Sequence, residues 1–425
     1  MLNRFRIQIK NLGIYLLASL IPMLASLVSN PFVAKNMSPE DYGIVGYYSA
    51  FSTLFLPLVN FYLLHYYTKR YFEVSKEQRL RLKATIFKAL IIFSVLMSVF
   101  ALLLLFFYTI IFNEGSEVPF YPYALIAMLT LPISGIYTLS LVDMRMSRDS
   151  IGFFKLSVSN GLLVVLITLL FVVIFKWGAF GKMIATTVSS VLIFTYIFWK
   201  NRNLLVFEFD SDDFKVAIRF CWPLVLASML TFFSSGYDKV YLERLGDINS
   251  LGIYAVGSSI AGYLNVFATS INDTFQPDIF KNIVKRDYKK TFGYVLLKIC
   301  IMSIAVVAFI ILAPYIIRLL TFGRYEDATP YAQIISLSCL TSMLYYSMSQ
   351  VTIALGFTSI TLINKVIGSV LSILCFNFLI SKYSALGAAW GVVLSYVLFF
   401  LGNVLLVLVK SKTNENRNTN ISQTV

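Results

Sequence analysis

The chain offers few of the groups that enzymes use. Only 13% of its 425 residues are charged, and it contains four cysteines and one histidine, His65. No two cysteines form a C-x-x-C pair and none adjoins His65, so neither a metal site nor a disulfide framework is predicted. The Gly181-Lys182 pair is followed by Met183, and no phosphate-binding G-x-x-x-x-G-K-[ST] loop is present. The sequence therefore predicts no cofactor and no catalytic residues, and favours a protein that is not an enzyme.

The composition is instead dominated by apolar residues. They make up 58% of the chain, whereas soluble domains have about 45–50% and roughly twice the charge found here. The net charge of +14 is carried by basic residues in short runs between apolar segments. That distribution is typical of a membrane topology signal rather than of nucleic-acid binding. We therefore predict an integral membrane protein with no nucleic-acid partner.

Apolar segments long enough to cross a bilayer recur along the chain. A spanning helix needs about 20 such residues, and helix is favoured because its backbone groups are satisfied within the segment. The runs are too long and too uniformly apolar for the strands of a barrel. Twelve spans are predicted, all helical: 11–33, 42–65, 86–112, 120–143, 152–175, 179–199, 218–238, 250–272, 292–317, 331–352, 360–381 and 385–409.

The basic residues predict the orientation of these spans. Most of the 35 Lys and Arg fall in alternate loops, two of which are the basic runs around Arg81 and Lys289. Positively charged loops stay on the cytoplasmic side, so both termini are predicted to be cytoplasmic, which requires an even number of spans. The longest connection, around Asp210, is then cytoplasmic. It suggests two bundles, 1–205 and 218–410, a linker, 206–217, and a disordered cytoplasmic tail, 411–425.

The two predicted bundles resemble each other. Shifting the chain by 209 residues places Leu17-Ala18-Ser19 on Leu226-Ala227-Ser228 and Gly43-Ile44 on Gly252-Ile253. A shift of 206 places Gly181 on Gly387. Six spans per bundle give both halves the same orientation, which is the parallel-repeat plan of several secondary transporters.

Two stretches carry a family pattern. One is Met37-Ser38-Pro39-Glu40-Asp41-Tyr42-Gly43-Ile44, and the other is Asp238-Lys239-Val240-Tyr241-Leu242-Glu243-Arg244-Leu245-Gly246 with Leu251-Gly252-Ile253-Tyr254. Both resemble polysaccharide biosynthesis proteins, the oligosaccharide-lipid flippases of the superfamily that also holds the multidrug and toxin extrusion transporters. Gly387-x-x-x-Gly391, which opens the last span, fits the pattern and would let that helix approach a neighbour closely. Ser38 to Asp41 predict a capped helix start.

The resemblance implies both a fold and a function. The fold is an all-α integral membrane transporter in which two parallel six-helix repeats form a V. The function is to move an undecaprenyl-pyrophosphate-linked oligosaccharide from the cytoplasmic to the outer leaflet of a bacterial inner membrane, by alternating access. The pathway would be the biosynthesis of O-antigen lipopolysaccharide, capsule or exopolysaccharide. Membrane lipid, the glycan polymerase and the chain-length machinery are the implied partners.

Polar residues near the predicted seam between the bundles are the first candidates for a substrate site. Ser235, Asp238 and Lys239 end the seventh span, and the 209-residue shift pairs Lys239 with Asn30 in the first. A cation there could meet a pyrophosphate. An equally good interpretation is a set of polar groups at a wet helix end.

Other candidates lie deeper or near the cytoplasmic face. Asn60 and Asn265 are placed in the predicted cavity, and Asp273 and Asp143 are candidates for coupling or gating. For Asp143, a local ion pair with Arg145 or Arg148 is the simpler interpretation.

Two lysines at membrane depth have a structural explanation. Lys298 and Lys365 lie within two turns of cytoplasmic helix ends, so both are expected to extend their ammonium groups to the interface.

Two alternative functions stay open. A cation-coupled multidrug exporter of the same superfamily would need acidic groups deep in the cavity. A membrane glycan polymerase would need a large outer loop with catalytic residues, which the short outer loops do not provide.

Overall fold

The structure is a computed structural model that describes the backbone of residues 2–71, 73–112, 116–355 and 358–423. Side chains are described within these ranges except at 2–13, 16, 19, 273, 277, 280, 284, 358–359 and 411–423. The predicted tail, 411–425, thus lies outside the described side chains. The helices are α1 (Leu2–Asn36), α2 (Pro39–Asn60), α3 (Leu63–Arg70), α4 (Lys76–Phe112), α5 (Tyr123–Met146), α6 (Ser150–Thr168), α7 (Gly178–Lys200), α8 (Ser211–Met229), α9 (Phe232–Ser235), α10 (Tyr237–Glu243), α11 (Ile248–Ala261), α12 (Tyr263–Val284), α13 (Tyr288–Thr321), α14 (Thr329–Ala354) and α15 (Thr358–Gln423).

The described chain is helical throughout its apolar segments. Within it, nine helical stretches are long and apolar enough to cross a membrane. One of them, Ile360–Lys410, contains two of the predicted spans, which are divided at Ser384, where φ is 47° and ψ is −128°. The all-helical membrane class is confirmed, and the number of twelve spans stays a prediction.

Large apolar side chains cover the outside of these helices. Of the 18 residues that form the most apolar stretch of α4, only 28% are buried within the protein. Side chains such as Leu96, Val99 and Ile111 are exposed. An apolar surface of this extent would be unfavourable in water. It is the surface expected of a helix that faces lipid.

The chain divides into two compact units. Unit 1 comprises Met1–Met229 with Leu319–Arg324, and unit 2 comprises Leu230–Arg318 with Tyr325–Val425. In unit 1, α5 packs against α2, α4 and α7, and α1 packs against α6. In unit 2, α14 packs against α11, α12 and α15.

The boundary at Met229 differs from the predicted linker. Helix α8 begins at Ser211, so it includes the second part of 206–217. Its buried side chains Ala217 and Cys221 belong to a core cluster of unit 1 with Leu63 and Tyr67. Because this apolar face packs on α3 and α4, α8 folds with the first unit rather than with the second.

The predicted start of α2 is confirmed. The Ser38 side chain accepts a hydrogen bond from the Asp41 N–H, and the Asp41 side chain accepts one from the Ser38 N–H at 2.8 Å. Together the two bonds form a capping box. Asp41 also accepts one from the Ala179 N–H at 2.7 Å, which ties the start of α2 to that of α7. At the position 209 residues after Ser38, Asp247 caps α11 by accepting from the Ser250 N–H.

The predicted close approach at the last span is also present. A Cβ added to Gly387 would lie 2.0 Å from the Leu379 carbonyl oxygen, and one added to Gly391 would lie 2.4 Å from the Phe376 ring. A larger residue would therefore require a shift of the Leu379 backbone at the first position and of the Phe376 ring at the second.

Candidate functional site

Unit 1 contains a cavity of about 630 Å³, here called the unit 1 cavity. Its walls come from α2, α5, α6 and α7, with the α2–α3 junction and the end of α8. Phe61 and Tyr62 at that junction have φ values of 46° and 53°, so the backbone turns sharply there and brings Tyr62 and His65 to the wall. The lining residues are Thr53, Leu56, Pro57, Asn60, Tyr62, Leu64, His65, Thr130, Ile133, Ser134, Tyr137, Thr138, Asn160, Thr186, Ser190, Ile193 and Ser228.

The polar groups of this lining, which lie among apolar side chains, carry no formal charge. Among the described residues that line the cavity, none is Asp, Glu, Lys or Arg. Hydroxyls and amides each donate and accept hydrogen bonds. The Tyr62 hydroxyl already bonds the Ser228 hydroxyl at 2.8 Å, and the Tyr137 hydroxyl interacts with the Asn160 side chain. The wall therefore offers both donors and acceptors to an uncharged polar ligand.

Asn60, a predicted site residue, has an unusual environment in this wall. Within the described part of the chain, its buried Oδ1 has no hydrogen-bond donor. A Cβ added to Gly135 would lie 2.4 Å from the same oxygen, so α2 and α5 are in close contact there. A buried amide oxygen without a donor costs free energy, and a ligand hydroxyl in the cavity would satisfy it.

Unit 2 contains a smaller polar cavity of about 310 Å³, here called the unit 2 cavity. Asn265, Thr269 and Asn272 lie on one face of α12 because they are spaced by four and three residues. They face Ser342, Met343 and Tyr346 of α14 across the cavity. The predicted site residue Asn265 is held by the Cys339 thiol, which donates to its Oδ1 at 3.2 Å.

Lys298 lies behind the unit 2 cavity. Its side chain is fully buried, and its ammonium donates to Asn272 Oδ1 at 2.7 Å and to Gln350 Oε1 at 3.4 Å. The expectation that Lys298 reaches the membrane interface is therefore wrong, because polar side chains of α12 and α14 solvate the ammonium inside unit 2. Lys365 likewise donates to the Thr231 hydroxyl at 3.0 Å.

Asp238 and Lys239 form a cluster with Tyr254, which the sequence did not place there. The Tyr254 hydroxyl donates to Asp238 Oδ2 at 2.5 Å, and the Lys239 ammonium lies 3.5 Å from the same oxygen. Asp238 is only 2% exposed, and within the described residues its Oδ1 has no donor. The charge of Lys239 is therefore partly balanced by its neighbour.

The other predicted residues of this region have different hydrogen-bond partners. Ser235 and Ser234 interact with the Tyr396 hydroxyl of α15. Asn30 donates to the Leu320 carbonyl oxygen at 3.3 Å. The structure therefore brings Asp238 and Lys239 together, gives Ser235 and Asn30 other partners, and assigns Asn60 and Asn265 to different cavities.

Asp143 forms an ion pair, but with a residue that is distant from it in the sequence. It lies 2.7 Å from the Lys83 ammonium of α4, and accepts a hydrogen bond from the Tyr67 hydroxyl of α3 at 2.5 Å. Burial raises the pKa of Tyr67, and the nearby carboxylate raises it further, so Tyr67 stays protonated and remains a donor. The expected partners Arg145 and Arg148 are thus replaced by Lys83. The side chain of Asp273 lies outside the described residues.

Most of the lining of the unit 1 cavity was missed by the sequence prediction, although one signal was present. Thr130, Ser134 and Thr138 of α5 are spaced by four residues, which puts their hydroxyls on one face of a helix. Thr186 and Ser190 of α7 have the same spacing. Such a polar stripe in a spanning helix faces protein or a cavity rather than lipid.

The family model described as "Polysaccharide biosynthesis protein" matches residues 9–283, well over half of the chain. The chain belongs to this family. This polysaccharide biosynthesis protein is 27% identical over 254 residues to the capsular polysaccharide biosynthesis protein CapF of Staphylococcus aureus. That match covers 56% of the chain and 63% of CapF. The family resemblance predicted from the motifs is confirmed.

Solved structures show the fold. The lipid II flippase MurJ in an inward closed conformation has a TM-score of 0.70 at 16% identity, covering 92% of this chain and 86% of MurJ. A multidrug resistance MATE family transporter in an inward-facing conformation has a TM-score of 0.66 at 15% identity, covering 94% and 99% of the two chains. The polysaccharide biosynthesis protein therefore has the multi-pass membrane fold of these transporters.

Proposed function

We propose that the protein is a flippase that moves an undecaprenyl-pyrophosphate-linked oligosaccharide from the cytoplasmic to the outer leaflet by alternating access. The observation that carries this proposal is the lining of the unit 1 cavity, which is rich in hydroxyls and amides and uncharged among its described residues. Sugar hydroxyls both donate and accept hydrogen bonds, as these side chains do. The family and the likeness to a lipid flippase support the same substrate class.

Lys239 is the proposed contact for the pyrophosphate, and Ser235, Asp238 and Asn30 are proposed as further polar contacts. A cation attracts a phosphate, although the neighbouring Asp238 weakens that attraction. Asp143 is proposed to gate the cytoplasmic end, since its pair with Lys83 ties α5 to α4. Asp273 stays a candidate for ion coupling.

The cellular setting follows from the proposed substrate. We propose a bacterial inner membrane location with both termini in the cytoplasm, and a role in O-antigen lipopolysaccharide, capsule or exopolysaccharide synthesis. The glycan polymerase and the chain-length machinery are the proposed partners, because they act on the oligosaccharide after it reaches the outer leaflet.

The test changes hydrogen-bonding groups of the unit 1 cavity. In a strain that depends on this gene for surface glycan, Asn60→Leu and the double variant Ser134→Ala/Thr138→Val should each reduce glycan display about five-fold or more, since each lost hydrogen bond costs about 1 kcal/mol. Lipid-linked precursor should accumulate on the cytoplasmic leaflet. Thr195→Val is the matched control, because Thr195 is an exposed hydroxyl on α7. Normal display by the cavity variants, at expression equal to the control, would contradict the proposal.

A multidrug exporter is the second candidate, favoured by the likeness to a MATE family transporter. A cavity that binds cations is expected to contain a carboxylate, and the described lining of the unit 1 cavity contains none. If deletion of the gene sensitises cells to cationic dyes and leaves surface glycan intact, this candidate replaces the flippase.

A further inference from the structure

A third cavity, of about 570 Å³, lies between α6 and α7 in unit 1. We call it the α6–α7 pocket. It reaches from Met144 at the end of α5 along α6 as far as Leu163 and along the last turns of α7. Its lining residues are Met144, Asp149, Ile151, Gly152, Lys155, Leu156, Ser159, Leu163, Leu192, Ile193, Tyr196 and Lys200. Ile193 separates it from the unit 1 cavity, because that side chain lines both.

The pocket lies at the end of α7, where the residue types are those typical of a membrane interface. Lys200 is the last residue of α7, and Asp149 caps the first turn of α6. Trp199 beside Lys200 is 67% exposed, and the Arg202 guanidinium lies 5.4 Å from its ring. Tryptophan and basic residues gather at the level of lipid headgroups. The predicted orientation puts this end on the cytoplasmic side.

The mouth of the pocket is cationic. Lys155 and Lys200 are exposed, and within the described part of the chain neither has an ion-pair partner. The lining contains one carboxylate, Asp149, which accepts a hydrogen bond from the Gly152 N–H at 2.8 Å, so the two lysines leave one net positive charge. The Tyr196 ring stands one turn before Lys200 on the same face of α7. Two free ammonium groups therefore face the space at headgroup level.

The rest of the pocket is apolar. Leu156, Leu163 and Ile193 line its inner part, and Leu192 and Ile151 are about half exposed at its edge. A hydrocarbon chain fits such a surface, while a soluble anion gains nothing from it. Cations at the mouth with an apolar wall behind them match a molecule that has a phosphate head and an acyl tail.

We propose that the α6–α7 pocket binds one anionic phospholipid of the cytoplasmic leaflet, with its phosphate at Lys155 and Lys200 and an acyl chain along Leu163 and Leu192. Basic pockets between spanning helices on the cytoplasmic side recognise anionic headgroups in this way. The site is separate from the unit 1 cavity, so it does not depend on which substrate the protein translocates. A bound lipid there would support the packing of α6 on α7.

The test uses Trp199 as the reporter. The full chain with Trp177, Trp222 and Trp390 changed to Phe is reconstituted into phosphatidylcholine vesicles containing a low fraction of brominated lipid. Brominated phosphatidylglycerol should quench Trp199 at a mole fraction about 20-fold lower than brominated phosphatidylcholine, since each lysine near a lipid headgroup contributes about a five-fold change in affinity. In Lys155→Gln/Lys200→Gln, the two lipids should quench equally.

A charge-matched control separates the pocket from general surface attraction. Lys285→Gln/Lys289→Gln removes two exposed lysines of unit 2 from the same predicted side, and it should keep the preference for phosphatidylglycerol. Equal quenching by both lipids in the parent protein overturns the proposal, as does an equal loss of preference in the control. Displacement of the brominated lipid by equimolar undecaprenyl phosphate also overturns it, because the pocket would then bind the lipid carrier.

Discussion

The Lys298 ammonium donates a hydrogen bond to Asn272 Oδ1 at 2.7 Å, inside unit 2 and with no exposed surface on the lysine. This pair joins α13 to α12 beside the unit 2 cavity. Burying an ammonium costs free energy unless polar groups replace the water molecules that solvate it. Here the side-chain oxygens of Asn272 and Gln350 accept hydrogen bonds in place of water.

Replacing Lys298 with Met should lower the melting temperature of the purified protein in detergent. The change removes a donor from the half-buried Asn272 Oδ1 and from the buried Gln350 Oε1, and an unsatisfied buried polar group costs about 1–3 kcal/mol. Lys289→Met is the control, because Lys289 is an exposed lysine on the same helix and its loss should have little effect.

The double variant Lys298→Met/Asn272→Leu tests whether the two residues are coupled. Making both partners apolar removes the unsatisfied oxygen of Asn272, so the double variant should be more stable than the two single effects together predict. Strictly additive losses of stability would show that the hydrogen bond is not what holds these residues together.

Lys239→Ala should reduce surface glycan and raise lipid-linked precursor if Lys239 meets the pyrophosphate. Its contact with Asp238 allows a sharper version of the experiment. If Lys239 only balances the buried carboxylate, then Asp238→Asn/Lys239→Met should restore display, because the unpaired charge is removed. We expect no such restoration. Restored display in the double variant would remove Lys239 from the proposed substrate site.

Gly135→Ala should reduce glycan display while leaving the protein folded. The added Cβ would lie 2.4 Å from Asn60 Oδ1, and the amide can rotate away from it into the unit 1 cavity. Alanine is also favoured over glycine in a helix interior by about 0.5–1 kcal/mol, which offsets part of the cost. The measurement compares display with the melting temperature. A variant with normal display would show that the position of Asn60 does not matter for transport.

Asp41→Ala should destabilise unit 1 by about 1–2 kcal/mol, because Asp41 accepts hydrogen bonds from the N–H groups of both Ser38 and Ala179. Gly178→Ala should also destabilise it, since φ at Gly178 is +52° and a Cβ would lie 2.4 Å from Asp41 Oδ1. Both effects are read from the melting temperature. Glu40→Ala changes an exposed neighbouring carboxylate and should be nearly neutral, so a similar loss there would contradict the assigned role of Asp41.

The amino-acid sequence alone determined the helical membrane class, the family, and the capped start of α2 at Ser38. It also predicted the close approach at Gly387. These features depend on the length of apolar runs and on residues a few positions apart, which interact in the same way wherever a helix is placed. The number of spans, the termini and the parallel repeat stay predictions.

Only the tertiary structure decided which polar side chains share a space. Asn60 and Tyr137 line one cavity although they lie on different helices, and Asp143 pairs with Lys83 rather than with its neighbours Arg145 and Arg148. The rotation of each helix about its axis sets these contacts, and packing against other helices sets that rotation. Apart from polar stripes such as that of α5, these spans are nearly as apolar on one face as on another, so the sequence carries little information about which face turns inward.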